Sequence, residues 1–281
     1  MQAEDVSLVF HKTSLQPLRR MLHWIAFNRE DLFYAYQAVH SVPAERTLAK
    51  RNRFASFVPY EDDQMLFVGL FDMTAVAGKS AQEIYANPAY FELEREFGAT
   101  DTAPAVNIAR DRDQLFFETN RAKELVDLNG RLLVSVPAGR AYVRLATNLD
   151  LTIDALLPVP VTEPALPPWR HIVLSGSEMR QLPRSWEAKL SEWRGIYLIL
   201  DKSDGARYVG AAYGVDNVLG RWRAHVARDK GVTVELAQRS PENFQFAILE
   251  RVSPDAQPAD VIAIERNWMA RLDTINYGLN S

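Results

Sequence analysis

The run Gly195-Ile196-Tyr197-Leu198-Ile199-Leu200, followed by Asp201-Lys202-Ser203-Asp204-Gly205 and then by Arg207-Tyr208-Val209-Gly210-Ala211, decides how the last third of the chain folds. The first piece is apolar and β-prone, the second is made of turn formers, and the third is a return strand. The reading is a hairpin that carries two tyrosines, Tyr197 and Tyr208, on neighbouring strands.

The flanking sequence extends the pattern. Arg184 to Trp193 reads as a short helix, Leu219 to Arg228 as another, and Phe244 to Glu250 as an alternating strand. Pro258 to Leu272 sets Val261, Ile264, Trp268 and Leu272 three or four apart, the spacing of one helix face. Asn276 to Asn280 closes the segment. Helix, strand, strand, helix, strand, helix predicts a three-stranded antiparallel sheet flanked by helices, in a chain that is α+β overall.

Prolines at 158, 160, 164, 167 and 168 divide the chain. Such a run excludes helix, disfavours central strands and reads as a stiff linker. The predicted organisation is an N-terminal domain over 1–155, a linker over 156–183 and a C-terminal domain over 184–281. In the N-terminal part, Trp24-Ile25-Ala26-Phe27 reads as a short strand, Asn28 as a helix cap and Arg29 to Val39 as the helix that it starts. Arg53 to Val58 and Met65 to Phe71 flank Glu61-Asp62-Asp63 as one hairpin. Leu132 to Val136 and Ala141 to Leu145 flank Pro137 to Arg140 as another. Ala81 to Tyr85 reads as a helix, with strand or loop from there to Arg110. Together these suggest a mixed sheet or small β-barrel, a layout that resembles PUA-like barrels, which include readers of modified bases. His23-Trp24 with Phe54, Phe57, Phe67 and Phe71 reads either as the lining of a pocket for a flipped base or as sheet core, and the alternation favours core. Lys50-Arg51-Asn52-Arg53 suits phosphate contacts or a solvated loop equally.

Composition sets bounds. The 281 residues suffice for two domains, and the apolar content is that of an ordinary globular protein. Without cysteine, disulfides, zinc–thiolate sites and iron–sulfur clusters are excluded, and the usage fits a reducing cytoplasm. The first residues hold no basic run leading into an apolar segment, so no signal peptide is expected. No stretch approaches the ~18 apolar residues of a membrane span. Net charge is −4, and residues 184–281 balance thirteen Lys and Arg against thirteen Asp and Glu. A nucleic-acid partner would therefore have to meet positive charge gathered on one face.

Beyond the two tyrosines, the C-terminal part carries Arg221 and His225 four apart on a predicted helix, Glu265 on the long last helix, and Asn280. A proton acceptor, a cationic clamp and a metal ligand are what metal-assisted phosphodiester cleavage needs. The ordered set Gly195-Ile196-Tyr197, Tyr208-Val209-Gly210, Arg221 with His225, Glu265 and Asn280 resembles the GIY-YIG nuclease superfamily over residues 195–280, about a third of the chain. Valine in the middle of the second motif is a common variant. The resemblance implies a metal-dependent endonuclease that hydrolyses DNA phosphodiester bonds with Mg²⁺, or with Mn²⁺ in its place. It assigns Tyr197, Tyr208, Arg221, His225, Glu265 and Asn280 to catalysis, and Glu265 to the metal.

The residue types suit those roles. A phenol has a pKa near 10 and is a poor base until a nearby cation favours the phenolate. Arg221 can grip a phosphate oxygen with two hydrogen bonds, His225 can relay a proton, and Asn280 can orient a water or a phosphate. A single carboxylate completed by waters and a substrate phosphate is a set that Mg²⁺ favours. Arg223 faces elsewhere on the helix. The plain structural roles are two core tyrosines, a solvated arginine, a surface histidine, an ion-paired glutamate and a chain-end cap.

The expected partner is double-stranded DNA, with the N-terminal domain selecting the substrate. Reading a specific or modified base would make this a restriction or defence nuclease, by analogy to domain pairings. One such site cuts one strand, so double-strand cutting takes a homodimer or two visits. The competing readings are a nucleic-acid-binding protein that has lost activity and a nuclease gated by a ligand of the N-terminal domain.

Overall fold

A computed structural model describes residues 3–61, 63–110, 112–228 and 234–280. Asp62 of the predicted first turn lies outside the described residues, as do Met1 and Gln2. The chain is α+β and forms two compact units, Met1–Pro164 and Ala165–Ser281.

The first unit is built on a curled mixed sheet of β1 (Val6–Phe10), β2 (Arg53–Pro59), β3 (Gln64–Lys79), β4 (Gln114–Arg121), β5 (Leu132–Ser135), β6 (Val143–Leu145) and β7 (Ile153–Leu156). The order is β6-β1-β2-β3-β5-β7, with β4 also on β3. β1 and β2 run parallel, Val6 beside Arg53 and Phe10 beside Phe57. Parallel neighbours need a crossover, and α1 (Gln16–Asn28), α2 (Glu30–Gln37) and α3 (Val42–Leu48) supply it.

Trp24 to Phe27 thus lies in a helix and not in a strand. Leu18, Met21, Leu22, Ile25 and Ala26 are buried at helical spacing, and that longer period outweighs a four-residue apolar run. Asn28 ends α1 instead of capping α2; its side-chain amide donates to the carbonyls of Trp24 and Thr162, each at 3.1 Å. β2 and β3 form the expected hairpin. Residues 132–145 do not: β5 pairs with β3 and β7, whereas β6 pairs with β1. Lys12 Nζ donates to the Pro137 carbonyl at 2.8 Å, which holds the intervening loop beside the end of β1.

After β3 comes the expected helix α4 (Ala81–Tyr85), and then two helices where strand or loop was expected, α5 (Pro88–Phe97) and α6 (Pro104–Ala109). Ser80 and Glu83 form a reciprocal capping box on α4. Asn87 caps α5 through the Ala89 N–H, and Gly98 ends it at φ +65°. Phe54 and Phe71 are buried on the helix-covered face of the sheet, and Phe57 and Phe67 on the other. Phenylalanines divided between two faces cannot line one pocket, so they are core. Arg53 of the basic cluster is held by Asp72 and Glu124.

The second unit contains β8 (Val173–Ser175), α7 (Arg184–Glu192), β9 (Arg194–Asp201), β10 (Arg207–Ala212), α8 (Asn217–Ala227), α9 (Val234–Ala237), β11 (Phe244–Val252), α10 (Pro258–Leu272) and α11 (Thr274–Tyr277). Its antiparallel sheet has four strands in the order β10-β9-β11-β8, one more than predicted. The extra strand, β8, comes from within the supposed linker, with Leu174 opposite Phe246 on β11. Leu166 and Trp169 also pack on this core. At the other end of the 156–183 stretch, the N–H groups of Leu157 and Val161 donate to the carbonyls of Arg131 and Gly130 at 2.8 and 2.7 Å. Proline removes its own N–H but leaves those between, so the run is tied down at both ends where a stiff linker was predicted.

α7 and α8 cover one sheet face with Trp186, Leu190 and Trp222. α10 covers the other, with Val261, Ile264, Trp268 and Leu272 on Ile196 and Val209. No helix among the described residues is long and apolar enough to cross a membrane.

Candidate active site

In the β9–β10 hairpin Tyr197 lies opposite Gly210, and Tyr208 lies opposite Ile199. The two tyrosines are therefore diagonal neighbours on one face, with ring centroids 6.4 Å apart. Gly210 is required by close approach: a Cβ there would run into Cζ and Oη of Tyr197. Gly195 meets a similar limit against the Glu250 carbonyl, where the β9–β11 register shifts.

α8 buries Val218, Leu219, Trp222 and His225 on this face. Tyr197 Oη and His225 Nε2 are 2.8 Å apart. The imidazole sits 5.7 Å from the Tyr197 ring and 5.5 Å from that of Tyr208. Trp222 closes the wall behind Tyr197, edge to face at 6.4 Å. One turn before His225, half-buried Arg221 brings its guanidinium close enough to both phenols to act on their charge. Arg223 turns away to pair with Glu187.

Glu265 arrives from α10, on the opposite face. It comes near the Ala211 N–H at the edge of the sheet, where its charge is felt by both phenols and it feels that of Arg221. Tyr197, Tyr208, Arg221, His225 and Glu265 thus converge. Asn280 does not join them. Its Oδ1 accepts the Val209 N–H at 2.9 Å and its Nδ2 donates to the Val209 carbonyl at 2.8 Å. The Leu279 N–H donates to the Arg207 carbonyl at 2.8 Å. β10 is the end strand of the sheet, so these residues complete the ladder on its outer side. The Asn280 amide is spent on backbone, and the residue positions the strand that carries Tyr208.

Burial raises the Tyr197 phenol above its ordinary value, reinforced by Tyr208 and opposed by Arg221. Tyr208 is raised by burial in the same way, against Arg221. Burial, with help from Arg221, presses His225 down to about 3, so the imidazole is neutral at physiological pH. Glu265 is raised by burial, with the Ala211 N–H and Arg221 pulling the other way.

The donor set fits a hard cation. Among the described residues no three His, Asp or Glu gather to form a metal cage. The oxygens present are one carboxylate and two phenols, and Mg²⁺ is held by one or two carboxylates when waters and a phosphate complete its shell. Burial disfavours the charged form of such a carboxyl, and a cation beside it favours that form. Two further contributors complete the site. Trp222, three before His225 on the buried face, is signalled by its helical spacing; the backbone amide of Ala211 has no signal in the sequence.

No family model matches the chain, and no curated protein and no solved structure matches it.

Proposed function

We propose that the second unit is a metal-dependent phosphodiester hydrolase of GIY-YIG type, an endonuclease acting on double-stranded DNA with Mg²⁺ or Mn²⁺. The supporting observation is the meeting of Tyr197, Tyr208, Arg221 and Glu265, from two strands and two helices on opposite sheet faces, at the edge of one hairpin. Desolvated titratable groups that perturb one another are the mark of a reactive site.

Arg221 grips a phosphate oxygen and offsets charge as it develops there. The phenols receive the proton of the attacking water. Burial alone opposes that transfer, because it favours the neutral phenol; the guanidinium between the two oxygens assists it. When bound at Glu265, Mg²⁺ adds positive charge that favours the phenolate and stabilises the leaving oxygen. His225, being neutral, fixes the Tyr197 hydroxyl through Nε2 and carries no charge into the site. Asn280 holds β10, and with it Tyr208, in register.

Plasmid nicking in Mg²⁺ by the wild type beside Glu265→Ala tests the reading. The expected result is nicking that the substitution abolishes. Equal nicking by both, or none by either, leaves a nucleic-acid-binding protein without activity, the alternative that the burial of Tyr197 favours.

A further inference from the structure

The first unit encloses a cavity of about 780 Å³ just beyond the carboxyl end of β1. Small-molecule sites are of this size. Three observations point to its occupant.

The walls are flat. Tyr36 stands 5.2 Å from the ring of His11, and Tyr142 lies 5.9 Å from that of His40 with only 31° between their planes. All four line the cavity, and such walls favour a planar heterocycle.

His40 offers an unused hydrogen bond. It is buried, burial holds its imidazole neutral with a pKa of about 4, and its Nε2 has no partner. The Tyr142 hydroxyl accepts the Ser41 N–H at 3.1 Å and lies 3.4 Å from His40 Nδ1. The same hydroxyl lies 3.4 Å from Ser41 Oγ, and the Gln37 backbone also bonds the imidazole, so Nε2 is the ring nitrogen left open to a ligand. A buried polar atom without a partner is destabilising, and a complementary donor or acceptor on a heterocyclic ligand removes that cost.

The rim is cationic and organised. Lys12 and Arg110 have no carboxylate partner among the described residues. Arg110 donates to Asn107 Oδ1 at 3.4 Å, and Arg112 is fixed by Glu45 and Gln114, each at 2.9 Å. Among the described residues, Asp101 is the one acidic residue in the lining.

We propose that this cavity binds a nucleotide, with the base between the rings and against His40 Nε2, and the phosphate at Lys12 and Arg110. Such a unit comes either from a free mononucleotide or from a nucleotide turned out of a DNA duplex. The proposal does not depend on the cleavage reading, because none of these residues belongs to the second unit.

The test titrates the full chain calorimetrically with deoxynucleoside 5′-monophosphates, with the matching nucleosides, and with inorganic phosphate. A second arm uses a duplex carrying 2-aminopurine opposite an abasic site, whose fluorescence reports unstacking. Two variants accompany the wild type: Arg110→Glu at the exposed rim, and His40→Phe, which keeps a ring and removes the open nitrogen. Binding is expected in at least one arm, weakened about tenfold or more by each variant. Monophosphate binding identifies a free nucleotide as the source; a response to the duplex alone identifies an extruded one. Silence in both arms overturns the proposal. So does inorganic phosphate that binds as tightly as the nucleotide, or a folded variant that binds like the wild type. Should His40→Phe fail to fold, Arg110→Glu decides alone.

Discussion

Tyr197 and His225 share a hydrogen bond of 2.8 Å, Oη to Nε2, and both side chains are buried beside Trp222. Neither can be removed without leaving the other unpaired away from water. Tyr197→Phe is therefore expected to cost about 1–3 kcal/mol of stability, measured by urea unfolding. Tyr208→Phe should cost less. Both should slow Mg²⁺-dependent nicking, by ~10²–10⁴ for whichever phenol takes the proton. Unchanged rates in both variants would remove the phenols from the chemistry.

Glu265 gives the metal reading its sharpest test. Gln in its place keeps the size and a carbonyl oxygen near the Ala211 N–H and removes the charge. Stability should stay within about 1 kcal/mol, because burial already disfavours the carboxylate. Nicking should be lost. Added MgCl₂ should raise the melting temperature of the wild type and not of Glu265→Gln. An equal rise in both would move the cation elsewhere.

Acid should weaken the first unit steeply. Burial holds His11, His23 and His40 down to about 3, 4 and 4. In the unfolded chain each titrates near 6.5, so the unfolded state takes up those protons first. Stability is complete above about pH 6.5 and is lost as pH falls towards 4, by up to about 4 kcal/mol per pH unit for the three together. The second unit carries one buried histidine, His225, and its slope should be about a third as large. Urea midpoints followed downward from neutral pH measure both, and a first-unit midpoint indifferent to pH would refute the account.

Gly210→Ala places a methyl where the Tyr197 ring lies. Overpacking of this kind costs about 1–3 kcal/mol. The near-ultraviolet circular dichroism of the tyrosines should change, and nicking should fall with it. A variant with native spectrum and native rate would mean that the ring has room to move.

The hairpin of Tyr197 and Tyr208 was legible because turn formers separate two β-prone runs, and α10 because its apolar residues keep one helical period. β8 was not, since three residues are too few for alternation and its partner on β11 lies some seventy positions away. α5 did carry local signals, Asn87-Pro88 at its start and Gly98 at its end. α1 was misread because a four-residue run was taken without the longer period around it. The site residues were legible by type and order. Their burial was not, because it comes from Trp222 on one face and α10 on the other, and burial sets the protonation of Tyr197, His225 and Glu265. The cavity of the first unit left no linear trace, for its lining is drawn from positions between 11 and 142.

Along the outer side of β10, Asn280 and Leu279 stand in for a missing neighbour. A chain cut after Tyr277 would lay bare a row of backbone donors and acceptors with nothing to answer them. The nearest answer is the same row on another molecule, so shortened copies would zip together into aggregates. The tail is thus a guard against self-adhesion, and its few residues keep one molecule from templating the next.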